Sequence, residues 1–281
     1  AASDVYKRQM LLSKYYADSP SAVAPRTAEL INKVELNKSK QIMFSLICSL
    51  IFLIVFCLPL FQLIYWQLSE SSINLLNNIN LLINSSILGF AVGIFTIFFA
   101  TALSLSYRQS NKLKSLISIS TSGYAIPGSV ISAGLLIGFD AIFGTSITIY
   151  GIFGLILCLS LRFMTPAYNY SSSSLANISK SSENALSLIP SNPLKAFSSF
   201  YYPQMKSALF LGFMIVFIES VKEQPATLLL RPVGFDTLST KIYNFTSEGE
   251  WEMAASPSLL LIFLSLVFVY LINKNIDLNT K

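Results

Sequence analysis

Three charges crowd the end of an otherwise apolar run: Glu219, Lys222 and Glu223. In an apolar setting such charges are expensive, and they face a protein interior or water rather than hydrocarbon. If the helix continues through them, Glu219 shares a face with Lys222 at i,i+3 and with Glu223 at i,i+4. Two readings are open: the group lines or gates a polar path on the outer side, or it forms a structural ion pair at an interface. A second group is Pro127 with Gly123 and Gly128. Proline removes a backbone hydrogen bond and glycine removes bulk, so a helix here can bend or lie close to a partner. Ordinary packing against a neighbouring helix is the simpler account. Arg231 beside Pro232 suits a turn better than a contact with a substrate.

Bond-making chemistry has little to work with. The chain has no His, which removes the commonest general base and transition-metal ligand. Cys48, Cys57 and Cys158 all lie inside apolar runs, fit neither a disulfide framework nor zinc spacing, and read as small buried hydrophobes. No nucleophile sits beside a base, carboxylates and tyrosines are dispersed, and neither a metal site nor a cofactor is expected. A GxxxxGK[ST] loop is missing, so an ATP-driven process would draw on another polypeptide. Basic residues are scattered between apolar runs rather than gathered on one face, which speaks against nucleic acid.

The elements that must hold these groups are membrane spans. Of 281 residues, 53% are hydrophobic and only 12% charged, with a mean hydropathy of +0.60. A soluble domain carries about 25% charged residues, so this chain lacks the polar surface to cover itself in water. A helix crosses the hydrocarbon with about 20 apolar residues. Six runs qualify in whole or part. The first, 42–66, closes on the interfacial pair Tyr65 and Trp66. The second, 82–107, holds Gly89 and Gly93 in GxxxG spacing. The third, 116–139, is rich in Gly and Ser and broken by Pro127, and the fourth is 142–163. The fifth is apolar only over 207–218, too short for a simple crossing, so a polar turn extends it or it lines a cavity. The sixth is 254–272.

Charge counting orients them. Arg26, Lys33, Lys38 and Lys40 precede the first span, Arg108, Lys112 and Lys114 follow the second, and Arg162, Lys180, Lys195 and Lys206 lie between the fourth and fifth. Lys274 and Lys281 fall in the tail, while the loops after the first and third spans have neither Lys nor Arg. An excess of positive charge marks the cytoplasmic side, so both termini are expected there. Residues 1–9, AASDVYKRQ, are set aside: DVYKRQ resembles the translation of a sequencing-adapter oligonucleotide, the alternative being a genuine polar tail. Met10 then need not be the natural start. Residues 10–40 form a polar cytoplasmic segment or a linker, 41–275 the six-helix domain, and 276–281 a cytoplasmic tail.

Between the fourth and fifth spans, about 165–206, the chain is polar enough to be wet, yet 184–200 alternates at helical spacing. Ser181 or Ser182 would cap a short helix with Glu183 in its first turn. Pro190 and Pro193 would end it and force a turn. The result is a protruding cytoplasmic knob; a plain connecting loop is the alternative.

Three stretches carry a resemblance. Residues 183–203, ENALSLIPSNPLKAFSSFYYP, resemble the EAA loop of binding-protein-dependent ABC importer permeases, with Glu183 and Ala185 at its start, Pro193, Leu194 and Pro203 aligned, and Pro190 where the family carries Gly. Residues 123–136, GYAIPGSVISAGLL, resemble the third helix of the ferric-iron branch, and 219–238, ESVKEQPATLLLRPVGFDTL, a Lys-Glu-x-Pro-Ala-Thr-Leu-Leu-Leu-Arg-Pro run of that branch. The resemblance covers about 42–275 and looks like the second half of a fused permease. It implies an all-α, MetI-like six-helix permease domain in the bacterial inner membrane that transports rather than catalyses. Its implied partners are a cytoplasmic ATPase dimer docked on the loop, a periplasmic ferric-iron-binding protein and a second permease half upstream in the same natural chain. Candidate path or gate residues are then Tyr124, Pro127, Gly128, Glu219, Lys222, Glu223, Pro225, Thr227 and Arg231. Sulfate, a polyamine or thiamine are alternative solutes within that class. A secondary transporter or a membrane assembly protein without an ATPase is the alternative outside it.

Overall fold

The computed structural model describes residues 37–69, 78–109, 114–144, 151–187 and 192–280; all the regular structure among them is helical. The chain divides into two units, Ala1–Val55 and Phe56–Lys281. In the first, the described residues form helix α1, Lys38–Phe52, and enter a wide turn at Leu53. By length and composition, Lys38–Ser69 is one of four helices among the described residues that can cross a membrane. Ile79–Arg108, Pro193–Lys222 and Ala255–Asn275 are the other three, and two bent helix pairs bring the total to six if each counts as one span.

The second unit opens with α2, Leu58–Ser69, and is built on α3, Ile79–Gln109. At 1.5 Å per residue its 31 residues reach about 46 Å, more than the roughly 30 Å hydrocarbon core. Its buried stripe, Ser85, Leu88, Val92, Thr96, Ala100 and Ser104, repeats every three or four residues and is made mostly of small side chains. Neighbouring helices can therefore come close. Buried hydroxyls settle their hydrogen bonds locally: Thr96 donates to the Val92 carbonyl at 2.6 Å and Ser104 to that of Ala100 at 2.8 Å. Gly89 and Gly93 do admit a partner: a Cβ on Gly89 would sit 2.8 Å from Phe217, and one on Gly93 2.6 Å from Phe213.

After α4, Lys114–Ser120, and a 3-10 turn, Thr121–Ala125, the chain breaks at Pro127 and restarts as α5, Gly128–Phe143. The two arms meet at 120°, so the break expected at Pro127 makes the third run a broken span or a re-entrant loop. Helix α6, Ile152–Arg162, bends by 55° into α7, Met164–Ala176. Here the sequence expectation needs correcting. The fourth run does not end at 163, and the stretch from Thr165 is no wet loop: Met164, Ala167, Ser171 and Leu175 are buried in the packing of α7 on α3 and on the helix after it.

A short helix α8, Lys180–Ser187, follows. Its first turn is capped by Ser179, whose hydroxyl accepts the Ser182 N–H at 3.2 Å, rather than by Ser181 or Ser182. Helix α9, Pro193–Ala196, starts at Pro193 with Asn192 accepting the Leu194 N–H at 3.1 Å; Pro193 thus opens a helix instead of closing one. A wide turn, Phe197–Tyr201, leads into α10, Tyr202–Lys222. Pro203 explains the widening, because without an N–H it leaves the Ser199 carbonyl without its usual donor. The fifth span is thus not short: helix runs from Pro193 to Lys222, and its apolar core is only the middle.

The chain closes with α11, Pro225–Leu230, α12, Leu238–Ser247, and α13, Ala255–Thr280. Helices α3, α7 and α10 pack three ways; α13 packs on α10, α12 and α2; α5 packs on α6 and α11. Phe217 of α10 stacks on Phe268 of α13 at 3.8 Å between centroids, with Phe90 of α3 edge-on at 4.9 Å.

Candidate path and coupling sites

The two candidate groups of the sequence meet at one ion pair. Helix α10 ends at Lys222, so the next residue leaves the helix and turns inward. Glu223 is 7% exposed, and its Oε1 lies 3.1 Å from Nη1 of Arg162, the last residue of α6. The same oxygen accepts the Ala226 N–H at 3.2 Å, capping the helix that Pro225 begins. The Glu223 carbonyl accepts from Thr227 at 2.9 Å and Ser239 at 3.0 Å. Carboxylate and backbone of one residue thereby tie α6, α10, α11 and α12 together. Arg162 also lies 5.6 Å from the centre of the Phe163 ring.

Gly128 rests on this pair. A Cβ built there would overlap both Arg162 Nη1 and Glu223 Oε1. Pro127 turns the chain so that α5 begins against the pair. One turn earlier, Gly123 approaches the Leu161 carbonyl so closely that a Cβ would overlap its oxygen. Tyr124 is half exposed, with its ring 6.4 Å from that of Phe163. Arg162 Nε is buried without a hydrogen-bond partner among the described residues, so the guanidinium is only partly satisfied.

The three charges read as one cluster are split. Glu219 and Lys222 pair with each other at 2.7 Å on the partly exposed side of α10, while Glu223 faces the interior. Arg231 pairs with Asp236 across a turn in which the Phe235 N–H reaches the Pro232 carbonyl at 3.1 Å. Asn84 of α3 donates to the Asp236 carbonyl at 2.9 Å, which fixes that turn to the bundle.

Arg162 is the residue that counting charges misplaced. It was assigned to a cytoplasmic segment, yet it pairs with a residue at the far end of α10. The missed signal lay just after it: Met164, Ala167, Ser171 and Leu175 continue at helical spacing, so the span does not stop at Phe163.

At the other end of α10 lie the loop residues. Glu183 stands in the first turn of α8, with both carboxylate oxygens 2.7–2.9 Å from Nε of Arg108 at the end of α3. Ala185 is on α8, Leu194 is strongly exposed, Pro203 lies in the first turn of α10, and Pro190 falls outside the described residues. Among the described residues no three Asp, Glu, His or Cys side chains gather as a metal site would need.

The fold is similar to that of a chain of the MetNI methionine ABC transporter in its inward-facing conformation, at a TM-score of 0.58 and 16% identity, over 72% of this chain and 96% of that one. In sequence the chain is similar to ferric permeases. The Fe(3+)-transport system permease protein FbpB 2 of Haemophilus influenzae is 25% identical over 238 residues, 80% of this chain and 46% of that protein. The ferric transport system permease protein FbpB of Actinobacillus pleuropneumoniae is 29% identical over 124 residues, 43% of this chain and 18% of that one. The chain spans less than half the length of these curated relatives. No protein-family model matches it.

Proposed function

We propose that this multi-pass membrane chain is one half of the permease of an ATP-driven, binding-protein-dependent importer of ferric iron. In this reading Arg162, Glu223 and Gly128 form part of the gate. Helix α8 is the element on which a separate cytoplasmic ATPase dimer acts. A periplasmic binding protein delivers the ion, a second six-helix half lies upstream in the natural chain, and both termini face the cytoplasm of a bacterial inner membrane. One observation carries the reading: two motif stretches nearly a hundred residues apart, 123–136 and 219–238, converge on a single ion pair whose carboxylate is buried. The names of the sequence relatives support iron as the solute.

The test is uptake of radiolabelled ferric iron by the full gene, with its neighbouring binding-protein and ATPase genes, in a strain lacking its own ferric permease. Uptake is expected only with all three components. Uptake of sulfate or a polyamine instead would overturn the substrate, and an ATPase that never co-purifies would overturn the class. Orientation is checked separately. A membrane-impermeant maleimide applied to spheroplasts should label Ser247→Cys and leave Ser181→Cys untouched until the membrane is opened; the reverse pattern would invert the topology.

A further inference from the structure

Helix α8 is held in an unusual way. Among the described residues it has no extensive packing contact with another helix, and beside it opens a cavity of about 670 Å³ lined in part by Tyr107, Tyr168, Ser172 and Lys180. Its attachment is polar and centres on Arg108. One guanidinium pairs through Nε with Glu183 of α8, and through Nη1 and Nη2 donates to the carbonyls of Leu175 and Ile178, where α7 ends. The side chains of Arg108 and Glu183 are 19% and 18% exposed, so the cluster is largely screened from water. A planar five-donor fork suits this task, since it can bind a carboxylate and two carbonyls at once where an ammonium cannot.

We infer that Arg108 is a positioning residue for energy coupling: it clasps α8 to the ends of α3 and α7, so that a displacement of α8 is passed to both helices together. The inference rests on the importer reading above and goes beyond it in making Glu183 an inward-facing partner rather than a contact for the ATPase. Without the clasp, α8 swings beside the cavity and the push is dissipated.

The experiment compares wild type, Arg108→Ala, Arg108→Lys, Glu183→Gln and the swap Arg108→Glu/Glu183→Arg in the full-length transporter, reconstituted with its ATPase and binding protein. Its readout is ferric ions moved per ATP hydrolysed, a ratio insensitive to how much protein folds. Arg108→Ala and Glu183→Gln should both lower the ratio about tenfold, a loss typical of broken coupling, while ATPase still co-purifies. Arg108→Lys should fall between them and wild type, and the swap should recover part of the ratio. An unchanged ratio in both single variants overturns the clasp. So does loss of ATPase co-purification in Glu183→Gln alone, which would make Glu183 a direct ATPase contact. If wild type itself retains no ATPase, the importer reading falls and the clasp falls with it.

Discussion

Gly128→Val is expected to abolish uptake while the chain still inserts into the membrane. The Gly128 Cα lies against Arg162 Nη1 and Glu223 Oε1, with no room for a Cβ. A valine there must push the guanidinium off the carboxylate or push α5 away from α6. Separating a fully buried pair costs about 3–5 kcal/mol; with Glu223 buried and Arg162 partly exposed the cost here is smaller, and moving α5 carries the Pro127 break with it. Gly128→Ala, with a single methyl against the flexible ends of two side chains, should retain some activity. Gly123→Ala is the informative control: its Cβ meets the Leu161 backbone carbonyl, which cannot rotate away. That variant should lower the amount of folded protein rather than the activity per molecule. Detergent melting curves beside uptake per transporter separate the two. Wild-type uptake by Gly128→Val would mean that contact between α5 and the ion pair is irrelevant to transport.

The contrast between these glycines shows what a sequence can and cannot disclose. Apolar runs such as that of α3 and α13 announce themselves, since about 20 apolar residues have few other uses. The proline break in the third run was equally legible, as a local covalent property. What a run-length count cannot register is a helix whose ends are wet: the continuous helix from α9 through α10, Pro193–Lys222, starts among Ser, Lys and Tyr residues, and only its middle is uniformly apolar. Nor can it register a pairing across 61 positions such as that of Arg162 with Glu223. Counting positive charges treats every arginine as a solvated loop residue, and Arg162 violates that premise because a carboxylate compensates it inside the bundle. Arg108 fits the premise and still escaped notice. Its role depends on where α7 ends, and the bend after Arg162 decides that. The motif residues fared unevenly for the same reason. Pro127, Gly128 and Glu223 come together because the third run breaks and α10 stops at Lys222, whereas Glu219 and Lys222, still within the helix, remain on its partly exposed face.

Removing both charges of the central pair should separate a gate from a brace. Glu223→Ala alone leaves the partly exposed Arg162 beside Gly128 without its carboxylate, and removes the acceptor of the Ala226 N–H as well; the loss should approach but not reach the roughly 3–5 kcal/mol of orphaning a fully buried charge. The double variant Arg162→Met/Glu223→Gln removes the orphan. Methionine fills much of the arginine's length, and the glutamine oxygen can still accept the Ala226 N–H, so the melting temperature should return close to wild type, as neutral replacements of buried pairs commonly do. Uptake should not return with it. The pair is incompletely satisfied, with Arg162 Nε lacking a partner among the described residues, and it sits where four helices and the start of α5 meet. A contact of that kind can be exchanged for another when α5 moves, whereas a neutral, well-packed replacement favours one arrangement and holds it. The expected outcome is therefore a stable transporter that hydrolyses ATP and moves no iron. A double variant that regains both its melting temperature and its uptake would assign Arg162 and Glu223 to structure alone, and the gate would have to be sought elsewhere along α5.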